Sequence, residues 1–312
     1  MAIASVPAAV FAQEYPAGKP IKLINTSAPG GVGDLSSRAT AAGLSQRLGV
    51  PVSVDNRPGG AYIIGVDAVV RANPDGYTLL HNHLGGLDIM PAPEKLPYVP
   101  DRDLVPVAMV ADATQAVVVP TRLNVDSVRE FVALAKARPG KLTYASSGHG
   151  TVAHFGGELF RLRTGIDLLH VPYKSSTAGV AEAVAGRIDM VVAAYASAVP
   201  QLKAGSVRII AFLGQKRSPV MPDVPTMVEL GYPDVLAGSW LGVFAPARTP
   251  AAIVRRLARE LGEMATSPEY IQQLGRLGLE SRVELLEDFA RSMKTERALW
   301  HAVARDANIK FE

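Results

Sequence analysis

The chain has 312 residues, a net charge of +3, 48% hydrophobic and 20% charged residues, and no cysteine. Such a composition belongs to a globular protein with a full core, and the length suggests two domains. The absence of cysteine excludes disulfides, thiol catalysis, cysteine-ligated zinc and a lipidated N-terminal cysteine. The lysines and arginines are scattered rather than massed, which argues against a nucleic-acid surface.

Taken in order, the chain begins with an alanine-rich apolar stretch ending in Val10-Phe11-Ala12, which resembles a signal-peptidase site. Although a basic leading region is missing, residues 1–12 read as the remnant of a cleaved secretory signal. No apolar run reaches membrane-spanning length. Lys22 to Thr26 is a predicted strand and Leu35 to Leu48 a helix, with Leu35, Ala39, Ala42 and Leu48 near one face. Between them lies Ser27 to Arg38, SAPGGVGDLSSR, a strand-to-helix loop carrying Gly30, Gly31 and Gly33. Asp34 stands where an N-cap belongs and is expected to accept the amide of Ser36 or Ser37. The amides of Gly30, Gly31, Val32 and Gly33 are then left to hold a small anion. A phosphate-binding P-loop would need a Gly-Lys-Ser/Thr ending that is absent. A dinucleotide fingerprint is broken at Ser36. A carboxylate or phosphate on backbone amides fits; a plain structural turn is the alternative.

Val52 to Val54 is the second strand, and Asp55-Asn56-Arg57-Pro58-Gly59-Gly60 a turn cluster. Ile63 to Arg71 is a helix stopped by Pro74-Asp75-Gly76, and Tyr77 to His81 is the third strand. This alternation predicts a parallel α/β sheet, with ligands at the carboxyl ends of its strands. Leu104 to Pro120 is two apolar runs broken at Ala111 to Thr114, as expected of a crossing between domains. A second series follows: helix 128–137, strand 142–145, helix 152–163, strand 168–171, helix 178–185, strand 190–194, helix 199–204 and strand 207–213. Trp240 to Ala245 is the expected second crossing. Helices over 249–265 and 285–308 are expected to cover the first domain, burying Leu286, Phe289, Met293, Leu299 and Trp300.

A second glycine-rich loop, Ser146-Ser147-Gly148-His149-Gly150-Thr151, also follows a strand and opens a helix. Two such loops, one per domain, can clamp one anionic ligand between them. His154 lies one turn into that helix. A hydrolase would pair Ser146 or Ser147 with His149 or His154, but the first glycine of a nucleophile elbow is missing. His81 and His83 share a face of the third strand. With His149 or His154 they could ligate a metal, yet neutral hydrogen-bonding histidines fit better, and no metal, cofactor or catalytic residue is assigned. At least one of the two, His83 or else His81, is expected to face the ligand, to bind it more tightly as pH falls, and to leave Asn82 pointing away, with partly buried structural histidines as the alternative. Lys174, ending the segment His170-Val171-Pro172-Tyr173-Lys174, offers a cation, and Tyr195 a phenol donor.

Together YPAGKPIKLI, APGGVGDLSSR, VDNRPGGAYIIG, ANPDGYTLL, ASSGHGTVAHFGGELF, HVPYKS, MPDVPTMVELGYP and WLGVFAPARTP run almost end to end. In that order they make the chain resemble the tripartite tricarboxylate transporter substrate-binding proteins, the Bug family of periplasmic receptors. The resemblance implies a two-lobed α/β Venus-flytrap fold with two crossing strands, each lobe a mostly parallel sheet flanked by helices. One lobe would comprise residues 13–113 and 240–312 and the other residues 114–239. It implies a monomeric, non-enzymatic, periplasmic protein that captures a small organic carboxylate for a membrane permease. The loops Ala28 to Asp34 and Ser146 to Thr151 would hold that carboxylate, often through ordered water. A sensor for a membrane kinase, or a serine/histidine or metal-dependent enzyme, is the alternative role. The sequence departs from the family pattern at Thr26-Ser27, at His81 to Gly86 and at Ser175-Ser176, all in expected cleft loops. These departures point to an aromatic or nitrogen-containing ligand.

Overall fold

The structure, a computed structural model, describes residues 15–60, 62–85, 87 and 96–306. The expected signal remnant and the end of the last helix lie outside the described residues. Two sheets organise the chain. The first holds β1 (Ile21–Asn25), β2 (Val52–Asn56), β3 (Thr78–His83), β4 (Leu104–Asp112), β10 (Trp240–Pro246) and β11 (Glu284–Leu285), in the order β11-β4-β10-β3-β1-β2. The second holds β5 (Gln115–Pro120), β6 (Leu142–Ser146), β7 (Leu168–Pro172), β8 (Met190–Ala194) and β9 (Val207–Phe212), in the order β7-β6-β8-β5-β9.

Both sheets are mixed. β1 is parallel to β2 and β3, and β6 to β7 and β8. The strand that leaves each crossing runs the other way: β10 is antiparallel to β3 and β4, and β5 to β8 and β9. Parallel neighbours need a crossover element, here α1 (Val32–Leu48), α2 (Ile63–Val70), α5 (Val152–Thr164) and α6 (Ser176–Val184). The remaining helices are α3 (Pro100–Asp103), α4 (Val128–Ala137), α7 (Tyr195–Lys203), α8 (Ala251–Ala265), α9 (Pro268–Arg276) and α10 (Leu286–Asp306).

Local chemistry sets the helix ends. Ser127, Thr151, Ser175 and Ser267 cap α4, α5, α6 and α9 by accepting the amides of Glu130, His154, Ala178 and Tyr270. Ser175, one of the departures from the family pattern, is thus a helix cap. The sequence reading lacked α3, α9 and β11; Ser267-Pro268 is a cap followed by proline at the first helical position, a signal that marks α9.

The crossings are hydrogen-bonded to each other. Ala113 and Ser239 exchange N–H···O bonds of 3.0 and 3.3 Å, and Gln115 N–H donates to Ala237 O at 2.9 Å. Asp112 and Glu280 exchange bonds of 2.8 and 3.0 Å on the other side. Asp112 stands 3.5 Å from the Arg282 guanidinium, which also pairs with Glu284 at 2.8 Å and Glu296 at 3.1 Å.

The last helix reaches further than a cover for one lobe. Phe289 packs on Trp240 and Phe244, with ring centroids 5.3 and 5.2 Å away. Trp300 sets its ring edge-to-face against Phe155 of α5, beside the second sheet, at 5.6 Å. Phe289, Met293 and Trp300 are buried, while Leu286 and Leu299 are partly so.

The crossing is packed tightly at Gly238, where a Cβ would stand 2.7 and 2.8 Å from the two Asp112 carboxylate oxygens. Gly238→Ala is therefore expected to destabilise the protein by about 1–3 kcal/mol, the usual cost of overpacking. A lower urea midpoint with an unchanged slope is the expected reading; an unchanged midpoint would mean that the crossing yields freely.

Candidate functional site

The first loop is largely satisfied from within. Helix α1 begins at Val32 with Gly31 as its N-cap, so Asp34 lies inside the first turn and is not the cap expected from the sequence. Its buried carboxylate instead accepts Gly30 N–H at 2.9 Å and Asn56 Nδ2 at 2.8 Å, and pairs with Arg38 at 3.0 Å. Burial pushes the Asp34 carboxyl upward, but the bonds from Arg38, Gly30 and Asn56 outweigh it and hold it below its ordinary range. Asp34 is thus the brace of the loop and has no oxygen left over for a ligand. Gly31 N–H donates to Ala28 O at 3.2 Å. No acceptor is found for the amides of Val32 and Gly33 among the described residues, and these make the smaller anion cradle that remains. Ser27 is partly exposed and Ala28 and Gly30 are exposed. Gly30 takes the left-handed conformation, φ 80°. Gly33 is the crowded position, where a Cβ would stand 2.2 Å from Ser27 Oγ.

The third strand separates its two histidines. His81 is fully buried against α1, with Nε2 3.3 Å from Ser36 Oγ. His83 is partly exposed and packs edge-on against Tyr62, ring centroids 4.8 Å apart. Asn82 is buried; its side-chain oxygen accepts Thr26 Oγ1–H at 2.7 Å. Tyr62, Asn56 and Arg38 were not singled out from the sequence. Asn56 was signalled by its parallel register with Asn25, which puts both at neighbouring strand ends. Tyr62 is the N-cap of α2 at φ 75°, a conformation uncommon for a bulky residue, and nothing in its sequence neighbourhood marks it.

The second loop gathers more residues. Ser146 is fully buried, with Oγ 2.7 Å from His170 Nε2, and it accepts Gly148 N–H at 3.2 Å. Thr151 caps α5 and donates its hydroxyl to Gly148 O at 2.8 Å. Gly150 N–H donates to His154 Nδ1 at 3.1 Å. The amides of His149, Thr151 and Val152 find no acceptor among the described residues. Ser147 and Gly148 are partly exposed. The serine–histidine pairing that a hydrolase would need, Ser146 or Ser147 with His149 or His154, is not formed: Ser146 pairs with His170. His170 had been read only as a strand end, and its register opposite Tyr144 brings it to the loop. Lys174 is exposed at the same sheet edge, and Tyr195 opens α7, partly buried. No hydrogen bond joins the two loops among the described residues.

Burial keeps four of the histidines neutral. It drives His81 down to about 3, with the nearby His83 adding to the effect, and His83 down to about 4. It also drives His154 down to about 4 and His170 to about 3, the neighbouring imidazoles contributing. His83 therefore does not become a cation near neutral pH, and the tighter binding at falling pH expected from it does not follow.

The two mixed sheets, the paired crossings and a strand-to-helix loop in each lobe define a two-lobed α/β periplasmic-binding-protein fold. The chain belongs to the tripartite tricarboxylate transporter receptor family, whose profile matches residues 36–309. Protein BugT of Bordetella pertussis is 35% identical over 100% of this chain and 96% of its own length. A Rhodopseudomonas palustris protein solved with adipate is 30% identical, with a TM-score of 0.79 over 96% of this chain and 100% of that one. MatC from the same species, solved with bound malate, is 27% identical, with a TM-score of 0.69 over 91% and 98%.

The neutral histidines make stability depend on acid. In the unfolded chain they protonate near 6.5, while in the folded chain His81 and His83 wait until about 3 and 4. Their contribution is complete above the unfolded value and is lost as pH falls from there toward the folded value, because only the unfolded state takes up the protons. Glu296 acts in the opposite sense, since burial raises it to about 7 and the folded state holds its proton. The contrast is isolated by His83→Asn, whose unfolding free energy should fall less steeply than the parent's between pH 6.5 and 4. Parallel curves from urea denaturation at stepped pH would show that His83 titrates normally.

Proposed function

We propose that the protein is a periplasmic solute receptor that captures a small organic carboxylate between its lobes and presents it to a tripartite tricarboxylate-type permease. The observation that carries this reading is the pair of strand-to-helix loops after β1 and β6, each at the C-terminal end of a parallel strand and each with unclaimed amides. Unpaired amides and the positive end of a helix dipole favour an anion, and bridging water serves nearly as well as direct contact. The adipate and malate bound by the two R. palustris relatives support a carboxylate here as well.

In this reading residues 13–113 and 240–312 form one lobe and residues 114–239 the other. Asp112 to Thr114 and Ala237 to Ser239 are the hinges, His83 and Tyr62 meet the non-anionic part of the ligand, and Lys174 and Tyr195 add donors at the rim of the second lobe. The protein acts as a monomer and without catalysis; the full burial of Ser146, out of a substrate's reach, supports the latter. No helix of the described residues is long and apolar enough to cross a membrane. Export rests on the apolar N-terminal stretch ending at Ala12.

A thermal-shift screen against mono- and dicarboxylates, adipate and malate included, tests the reading. A ligand at a hundredfold excess over its Kd stabilises the folded state by about 2.7 kcal/mol. Gly33→Ala should abolish that response, because its Cβ displaces Ser27 from the loop. A screen in which no carboxylate raises the melting temperature would overturn the proposal. Small-angle scattering should show a smaller radius of gyration at saturating ligand, and equal radii would count against hinge closure.

A further inference from the structure

We propose that His149, His154 and His170 form a binding site for a first-row transition-metal dication of the zinc, nickel or copper class. The three come from different elements: His149 from the loop after β6, His154 from the first turn of α5, and His170 from β7. One ring nitrogen of each lies within 4.8 Å of the others. His154 and His170 stack at 4.0 Å with their planes 10° apart. His149 stands edge-on to both, at 5.3 and 5.2 Å.

The donor set selects the metal. Three imidazoles with no carboxylate among them suit zinc, nickel or copper, whereas magnesium and calcium want oxygen ligands. Zinc sits about 2.0–2.1 Å from each imidazole nitrogen, so tetrahedral donors stand roughly 3.3 Å apart. His149 is exposed and makes no hydrogen bond among the described residues, so its ring can turn toward the ion. His154 and His170 lie in nearly parallel planes, so one of these two rings must also turn for both lone pairs to meet a single ion. His170 holds Ser146 Oγ with Nε2, which leaves Nδ1 for the metal, and it stacks on Tyr144 at 4.7 Å. Tyr144 is anchored in turn by a 2.6 Å bond to Glu158. His154 Nδ1 accepts only Gly150 N–H, at 3.1 Å, and a metal on that nitrogen replaces one neutral hydrogen bond. Such outer partners are what fix ring orientation in metal sites. Three protein ligands leave a fourth tetrahedral position for water or an anion. The site stands on these side chains alone and does not depend on the carboxylate reading.

The test uses untagged full-length protein, stripped with EDTA and exchanged into carboxylate-free buffer. Calorimetric titration with Zn²⁺ should give one ion per chain with a dissociation constant in the micromolar range or tighter. Co²⁺ in its place should give visible absorption bands of a nitrogen-ligated, low-coordinate site. His149→Ala, at an exposed position, should keep the metal-free melting temperature, weaken Zn²⁺ binding by roughly tenfold or more, and lose the Co²⁺ bands. Absence of saturable one-to-one binding by the parent would overturn the proposal, as would a His149→Ala protein that binds Zn²⁺ as tightly.

Discussion

The backbone ladder between the two crossings is the constraint on which the rest depends. Ala113 pairs with Ser239 and Gln115 with Ala237, so the two passages move as one hydrogen-bonded ribbon. Each unpaired amide or carbonyl buried there would carry a desolvation penalty, and the ladder removes it. Because β4 and β5 lie on opposite sides of this ribbon, as do β9 and β10, the ladder also decides which strands enter which sheet. The mixed character of both sheets follows, since the strand that leaves each crossing, β5 in one sheet and β10 in the other, runs against the parallel βαβ portion.

Beside that ribbon sits a cluster of partly buried charge. Arg282 faces Asp112, Glu284 and Glu296, one cation among three carboxylates. Burial raises both Asp112 and Glu296 despite the guanidinium, Glu296 to about 7. Such a network gains little stability over an apolar core. Trp300 against Phe155 adds an apolar tie from the C-terminal helix to the second lobe, so that helix links the lobes as well as covering one of them.

The two loops resolve the same problem in different ways. In the first, Asp34 consumes the amide of Gly30 and is itself consumed by Arg38 and Asn56, leaving a short stretch of free backbone donors. In the second, Ser146, Thr151 and His154 each take a loop group, and three imidazoles collect beside it. A loop held from within keeps its remaining donors in position, which lowers the ordering cost that ligand binding must meet.

From the sequence alone most of the element order, though not α3, α9 or β11, the two strand-to-helix glycine loops, the crossings near Asp112 and Ala237, and the family resemblance were legible. These rest on local periodicity, turn chemistry and motif order, which need no distant partner. The roles of individual side chains were not legible. Asp34 looked like a cap because its neighbours in sequence are serines, yet Asn56 from the adjacent strand and Gly30 behind it claim its oxygens. His83 looked like a pH switch because imidazole titrates near neutrality, yet desolvation holds it neutral. His170 looked like a strand end, yet parallel register with β6 carries it to Ser146, His149 and His154. In each case the deciding partner or the surrounding dielectric comes from residues distant in the chain, and only tertiary packing brings it there.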